Sequence, residues 1–599
     1  MKTIKKYITS LVLGTVAAGM IMSSCDTLEE KFYNPDKITE ADFSLLFASI
    51  QTKRHLFRLD YGATYHYMRA MVPMLGLCSR PDYIDISQNN SIYRTWTDYW
   101  GGTTFNEYVF TQTCVEYGKE MAAMELLYNG QTPEEQEQNK VYMTCVNIMR
   151  SYAFQRATDL YDDMPFSETG GAFQENFYPK YDTQEEIYTS ILATLKTAAE
   201  DLANYQFSSE TQKTKFASVD IFCGGDLDKW IRFANSLRLR MSMRLCHVQP
   251  EVAKANIKEL IAGNRMVTEY EQNLGFEDQD KTNAFVVTFF RGVDERGAES
   301  AAPETIIKDI MNYEYQPGDE NGISKSRHEF DPRLYAMFQS DIHGRYIGLP
   351  LKMETGEDVK AELRKYYTDQ EITDMFEWND IVRSTWDCES RISGMYNRRT
   401  YFNFDMKFPV MHSTEVNLLL AEAAIRWPGE FGSIDTKECI KKAIDASTRF
   451  YYDINKTNAY NASTIPALLY LLDKAKAPDL DEEHLADFEE LMANKFASLT
   501  TTKEKLKFIF DQKFCHFNIF NPYEIYSEAR RLVKDFDGEL PLLATPNFVF
   551  QERFFYPTSE QTNNETNFEK VAYKNTYDTP VWWTGRTTAV VNHNGNAID

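Results

Sequence analysis

An apolar residue recurs every three to four positions through most of this chain, and that period restricts the fold to packed helices. Residues 134–160 carry Val141, Cys145, Ile148 and Tyr152 at this spacing. Residues 229–245 repeat Trp230, Phe233, Ala234, Leu237 and Met241 in the same way. A capping box from Thr183 to Glu186 opens a helix expected to reach residue 202. Further helices are expected at 251–262 before Gly263, at 414–426 before Trp427-Pro428-Gly429, and at 436–451, 482–499 and 503–514. Strand-like runs are few, at 284–290 and 548–555. The fold class that follows is mostly α.

The pairs 183–202 with 229–245, and 414–426 with 436–451, are expected to form antiparallel hairpins. They resemble tetratricopeptide-type pairs, although no clean repeat period runs through the chain. Between the helical regions lies an irregular, charged and Gly-containing stretch. A stretch this long is functional or disordered, and its Tyr and Trp content argues against disorder. The expected layout is a single domain over 37–599. Its helical scaffold occupies 37–290 and 405–540, its loop-rich insert about 291–404, and its C-terminal segment 541–599.

The N-terminus reads as an export signal. Lys2, Lys5 and Lys6 precede an uncharged apolar run from 8 to 22, then Met22-Ser23-Ser24-Cys25. The run falls short of the roughly 20 apolar residues that span a bilayer. Cysteine directly after small residues resembles the bacterial lipobox, in which Cys25 is lipidated after removal of 1–24. Residues 25–36, with Asp26, Glu29 and Glu30, suit a short acidic tether. No second apolar run is long enough to span a membrane, so the expected attachment is the lipid alone.

Charge narrows the partners. A net charge of −25 and a pI near 4.9 exclude the basic patches that nucleic acid demands. They also argue against binding anionic lipid head groups. Besides Cys25 there are Cys78, Cys114, Cys145, Cys223, Cys246, Cys388, Cys439 and Cys515, none at CxxC spacing. A cysteine zinc site is therefore not expected. Buried free thiols are the expected state, with one or two disulfides as the alternative.

Six ordered blocks give the chain a family resemblance. Residues 156–166 look like a helix running into a "Tyr-Gly-Asp-x-Pro" turn, with Asp162 where glycine is common. Residues 229–240 match "Trp-x-x-Phe-Ala-Asn-Ser-Leu-x-x-Arg", Asp331-Pro332-Arg333-Leu334 precedes the middle loops, and 415–423 match "Glu-x-x-Leu-x-x-Ala-Glu-Ala". Residues 526–531, 553–557 and 560–564 resemble the terminal "Glu-x-Arg-Arg" and "Arg-x-x-Tyr-Pro-x-x-Glu" blocks. In this order, and behind a lipobox, they resemble the SusD/RagB family of outer-membrane lipoproteins, in its SusD-like branch. The resemblance implies a right-handed superhelix of tetratricopeptide-like helix pairs with a long loop-rich insert. It implies a non-catalytic protein that captures oligosaccharide, or in some members peptide, for a SusC-like TonB-dependent transporter. Within the blocks, Trp230 and Phe233 are expected in the core. Arg238, Arg240 and Arg244 are expected to pair with acids such as Asp159 or Asp162, and Glu422 and Arg531 to be structural.

Ligand contacts should lie on loops. A sugar presents an apolar face that a ring can cover and a rim of hydroxyls that polar side chains must satisfy. The best cluster contains Arg80, Asp82, Tyr83, Asn90, Trp96, Tyr99 and Trp100; Trp96 and Trp100 could equally form one core face of a short helix. A second set, in the insert, contains Tyr313, Tyr315, Trp386, Tyr396 and Arg398, with Arg327, His328, Asn397 and Arg399 beside them. Trp582-Trp583 reads as an exposed pair. Catalysis has little support: no nucleophile elbow, HExxH, P-loop or GxGxxG in context occurs. A glycosidase remains the competing class, but no acid pair stands out among the 89 acids. No cofactor is expected. A structural Ca²⁺ at Glu277-Asp278-Gln279-Asp280 would lack the glycine and closing glutamate of an EF-hand loop.

Overall fold

The computed structural model describes residues 43–53, 56–57, 71, 75–77, 109–277, 302–341, 343–348, 361, 364–373, 395–401, 403, 405–457, 475–542, 550–576 and 578–590. Helices dominate: α1 (Phe43–Gln51), α2 (Gly118–Asn129), α3 (Pro133–Tyr161), α4 (Gln184–Asn204), α5 (Glu210–Val219), α6 (Leu227–Arg244) and α7 (Pro250–Gly263) in the first half. In the second half come α8 (Ser413–Arg426), α9 (Thr436–Thr457), α10 (Glu482–Ser498), α11 (Thr502–Phe517) and α12 (Pro522–Leu532). Each helix expected from the apolar period is present, with ends shifted by a few residues.

Local chemistry sets those ends. In α3 the Thr132 hydroxyl accepts from the Glu135 amide, and the Glu135 carboxylate accepts from the Thr132 amide at 2.8 Å, with Pro133 in the first turn. Thr183 and Glu186 close the same box on α4. Helix α7 ends on Asn264 in the left-handed region, one residue beyond the expected Gly263.

Helix α4 packs between α3 and α6, and α8 packs along α9, as the hairpin reading requires. Trp230 and Phe233 are fully buried, and Trp230 Nε1 donates to Asp220 at 2.9 Å. A single cluster of buried apolar side chains runs from Phe47 to Val590. The described cysteines (Cys114, Cys145, Cys223, Cys246, Cys439 and Cys515) are free thiols.

Strands are short. β1 (Leu274–Glu277) pairs antiparallel with β4 (Lys407–Met411), placing Phe276 opposite Phe408 and Glu277 opposite Lys407. This ladder is a stem: the chain leaves the helical scaffold along β1 and returns to it along β4. Within the insert, β2 (Phe338–Gln339) pairs with β3 (Met395–Tyr396). The strand expected at 284–290 lies outside the described residues. The other, at 548–555, is irregular over its described part, where Arg530 Nη1 takes the Glu552 carbonyl at 2.8 Å and Tyr526 takes that of Gln551 at 2.6 Å.

Buried ion pairs join the helices at the centre. Arg240 and Arg244, one turn apart on α6, face three other helices. Arg240 holds Glu415 of α8 through two N–H donors at 2.6 Å each. Arg244 donates to Glu524 of α12 at 2.5 Å, to Glu528 one turn on, and to Asp159 of α3 at 3.5 Å. Arg531 of α12 grips Glu422 of α8 at 2.5 and 2.8 Å, and Lys513 of α11 reaches Glu528 at 2.6 Å. Burial pushes the Glu422 carboxyl up, but Arg531, Lys513 and Arg426 together hold it well below the usual carboxylate range. Arg238, by contrast, turns outward to Glu259 at 2.5 Å.

The C-terminal segment folds back onto the end of α3. Asp162 sits at φ +69°, a conformation natural to glycine, and this explains why glycine is common there. Its carboxylate accepts from the Trp582 amide at 2.9 Å and from Lys574 at 2.8 Å, with Arg553 at 3.4 Å. The Tyr556 hydroxyl donates to the Asp163 carbonyl at 2.9 Å. Asp162→Ala should therefore destabilise by about 3 kcal/mol, since it leaves Arg553 and Lys574 short of a partner. Asp162→Gly should recover about 1–2 kcal/mol of that by releasing backbone strain. Chemical denaturation of both variants checks the order, and a glycine variant no more stable than the alanine one would reject the strain.

Three of the described histidines are buried, His412, His484 and His516, and burial keeps His412 and His516 neutral. Burial pushes His412 down to about 3, and its ring lies against Phe450 at 4.6 Å. Burial and the neighbouring His412 push His516 well below its usual value. The folded state thus binds fewer protons than the unfolded chain once pH drops below about 6.5. Stability from this source is full above that value and is lost as pH falls toward 3. Between pH 6.5 and 5 His412 should cost about 2 kcal/mol. His412→Phe should flatten the fall in Tm between pH 7.5 and 5; an unchanged slope would show that His412 is not a source of it.

Candidate functional site

The insert builds a cleft from three chain segments. Ile307 and Lys308 come from a short π-helical turn (Ile306–Ile310), Tyr313 and Tyr315 from the segment after it, Tyr346 to Gly348 from a second segment, and Tyr366 from a third. Glu304 and Glu314 complete the lining of this shallow, solvent-open cleft, whose enclosed volume is about 30 Å³. Tyr315 and Tyr366 meet edge to face with ring centres 6.1 Å apart. Tyr346 is set edge to face between Tyr313 at 6.2 Å and Tyr335 at 5.7 Å. Such pairs gain from the ring quadrupole and resist rotation.

Charged residues behind the rings hold them. The Tyr313 hydroxyl donates to Asp319 at 2.8 Å, and Arg327 clamps the same carboxylate at 2.7 and 3.0 Å while lying over the Tyr313 ring at 5.5 Å. Burial and the hydrogen bond to Asp319 push the Tyr313 phenol far up, so it stays a neutral donor. The Tyr315 hydroxyl donates to Glu320. Arg345 is pinned on Asp341 at 2.8 Å and donates to the Tyr366 carbonyl at 2.8 Å, fixing the third wall. At the rim, Lys308 pairs with Glu314 at 3.3 Å. Gly348 forms the floor, where a Cβ would lie 2.5 Å from the backbone of Glu304. The cleft thus sets tyrosine rings beside a rim of hydrogen-bonding groups. Among the described residues no cluster of His, Cys, Asp and Glu is placed to hold a metal ion.

Of the residues expected to touch ligand, Tyr315 lines this cleft and is half-buried. Tyr313 and Tyr396 correct the sequence reading. Tyr313 is 1% exposed and supports the cleft from behind. Tyr396 is 3% exposed, packed on Phe338 at 5.0 Å and Tyr401 at 5.2 Å, with its hydroxyl donating to the Leu77 carbonyl. Arg398 lies in a one-turn helix (Arg398–Tyr401), its side chain outside what is described. Arg80, Asp82, Tyr83, Asn90, Trp96, Tyr99, Trp100 and Trp386, like Cys25, lie outside the described residues.

Other expected groups are structural. His328 pairs with Asp487 at 2.7 Å, Asn397 is buried, and Arg399 donates to the Asn455 carbonyl at 2.6 Å. Trp583 is not exposed: it is fully buried and donates from Nε1 to Asp159 at 2.9 Å, while Trp582 is half-buried. Tyr346 and Tyr366 were not singled out from sequence, although each stands in a polar run that a loop-facing ring would suit.

The described geometry has counterparts among known proteins. The sequence model of the SusD-like family, described as starch-binding and associating with the outer membrane, matches residues 79–557. A SusD/RagB family protein from Bacteroides thetaiotaomicron shares the fold with a TM-score of 0.61 at 18% identity, over 91% of this chain and 99% of its own. A SusD homologue from Bacteroides fragilis gives 0.59 at 17% identity, over 90% and 99%. A protein described as chitin-binding gives 0.59 at 18% identity, over 91% and 100%. At these identities the structural likeness shows the fold alone. No curated protein matches the sequence significantly. Four of the sequence blocks, 156–166, 229–240, 415–423 and 526–531, supply charged groups to the interior ion pairs, and this chain belongs to the SusD-like family of starch-binding proteins associated with the outer membrane.

Proposed function

We propose that the protein captures oligosaccharide at the cell surface without chemistry of its own. It is anchored by lipid at Cys25 and passes its ligand to a SusC-like TonB-dependent transporter. The observation that carries the reading is the tyrosine-walled cleft, built on an insert that leaves and re-enters the scaffold through the β1–β4 stem. Arg80, Asp82, Tyr83, Asn90, Trp96, Tyr99 and Trp100, with Trp386, are proposed as further ligand contacts from the sequence alone. A fold neighbour described as chitin-binding supports a neutral glycan.

Affinity electrophoresis against chito- and malto-oligosaccharides tests the reading. Tyr315→Ala and Tyr366→Ala should each weaken retention roughly five- to tenfold, the equivalent of about 1–1.4 kcal/mol for one lost ring contact. Unchanged retention in both would remove the cleft from the site. Release of reducing ends would make the protein a hydrolase, and retention by peptides alone would make it a peptide-binding member. Separately, Cys25→Ala should move the protein from the membrane to the soluble fraction; a variant that stays with the membrane would overturn the anchor.

A further inference from the structure

Most of the described cysteines are kept as inert thiols by their surroundings. Cys145, Cys223, Cys439 and Cys515 are buried, and burial pushes each thiol up. Cys114 is only half-buried, yet burial pushes it up as well, and its Sγ donates to the Pro165 carbonyl at 3.6 Å. Cys246 differs from all of these. It is half-buried, in a short 3₁₀ turn (Leu245–His247) that follows α6, and it is not part of the cleft lining.

Its neighbours form a thiol–imidazole–carboxylate chain flanked by guanidinium groups. Arg531 of α12 donates from Nη1 to the Cys246 Sγ at 3.7 Å. His247, the next residue, hydrogen-bonds to the same thiol, and its Nε2 lies 3.1 Å from Asp535 in the turn after α12. Arg426 of α8 grips Asp535 at 2.7 and 2.9 Å, which fixes the carboxylate against the imidazole. Lys534 adds charge on the far side, where it and His247 both lie close to Gly585. The acids behind the arginines are already taken: Glu422 holds Arg531 at 2.5 Å and Arg426 at 2.7 Å, and Glu528 holds Arg531 at 2.6 Å. The sulfur thus meets positive groups from α8, α12 and its own turn.

A partly exposed sulfur in an electropositive setting is the arrangement that makes a cysteine nucleophilic. Burial alone would push the Cys246 thiol up, but the Arg426 charge, the His247 hydrogen bond and the Arg531 charge bring it down to about 7. Asp535 and the thiolate push His247 up against its own burial, so the two form a thiolate–imidazolium pair. At pH 7 about half of Cys246 is then thiolate, against about 3% of a free cysteine. A thiol that titrates near the ambient pH is also the best attacker of a disulfide, because lower values cost nucleophilicity. We propose that Cys246 is a modification site, at which its thiolate attacks a small organic disulfide and becomes a mixed disulfide. The Cys246 Sγ forms a bond to one sulfur of the reagent, the sulfur–sulfur bond of the reagent breaks, and the second sulfur leaves as a thiolate with the electron pair. Cys246 is oxidised, half of the reagent is reduced, and no proton need move. The adduct loses the charge that faced Arg426 and Arg531, at the junction of α6, α8 and α12. A small dithiol reverses the step. Neither glycan capture nor the lipid anchor enters this inference.

The test treats the folded protein with dithiodipyridine, a neutral disulfide, follows thiopyridone release and locates each adduct by peptide mass spectrometry. At pH 7 Cys246 should react at least tenfold faster than Cys114 in the same molecule. Its rate should rise with pH about a midpoint near 7, below the roughly 8.5 of free cysteine. His247→Gln and Asp535→Asn should each move that midpoint up and slow the reaction at pH 7 about threefold or more, while rates well above the midpoint stay at the parent's value. A residue that merely packs the turn would not shift the pH profile in this way. Dithiothreitol should release the label and restore the fast phase. Cys246 reacting no faster than Cys114, or a midpoint at or above that of free cysteine, would overturn the proposal. So would a midpoint that neither variant moves while both keep the parent's Tm. Where a variant fails to fold, the parent's own rate ratio and pH profile decide the matter.

Discussion

The arrangement of the scaffold depends on the guanidinium groups of Arg240, Arg244 and Arg531, enclosed between helices. Each is fully or almost fully buried, so each must be met by a carboxylate brought to it by another helix. Glu415 and Glu422 arrive on α8, Glu524 and Glu528 on α12, and Asp159 on α3. The net stabilisation from such pairs is small, because desolvation offsets most of the attraction. What they give is register. Sliding α8 along α6 by one turn would strand Arg240 and leave Glu415 unpaired in the core. The penalty for a single broken partner, about 3–5 kcal/mol, makes that slide unfavourable where apolar packing alone would tolerate it. This explains why the recognisable sequence blocks are separated widely along the chain yet touch in space.

Helices were legible because their signal is local. A period of three to four apolar positions, a Thr-to-Glu box and a glycine near the end all act within a few residues of where they are written. The ladder of β1 and β4 was not legible, because four residues are too few to display an alternation. Its partner lies beyond the insert, and its register follows from Phe276 meeting Phe408. Trp583 was misread for a related reason. Its neighbours in sequence are polar and close to the terminus, while the acid that satisfies its indole, Asp159, is 424 positions away. Nothing within the C-terminal segment announces that contact.

The cleft was legible as a region and not as residues. Tyrosine in an irregular stretch pointed to the insert, where the cleft lies, since a ring with a polar edge suits a wet wall. It did not sort Tyr313 from Tyr315. The two are a dipeptide step apart, and one is enclosed by Asp319 and Arg327 while the other faces the cleft. Sorting them needs the position of Tyr346 and Tyr366, which belong to segments that meet only after folding.

Charge and aromatic content then act on ligand choice at different distances. A chain carrying −25 repels anionic polymers before contact, over the roughly 8 Å that physiological salt leaves unscreened. At contact the cleft is close to self-neutralising, with Lys308 spent on Glu314 and the rings backed by paired acids rather than free ones. A neutral sugar loses nothing at the first stage and finds ring surfaces at the second. An anionic glycan of the same shape would be held off by the surface and would find no unpaired cation among the lining groups. Under the proposed glycan-binding function, selection for neutral oligosaccharide would need no single specificity residue: it would follow from an acidic exterior combined with tyrosines whose polar ends are already held by the protein.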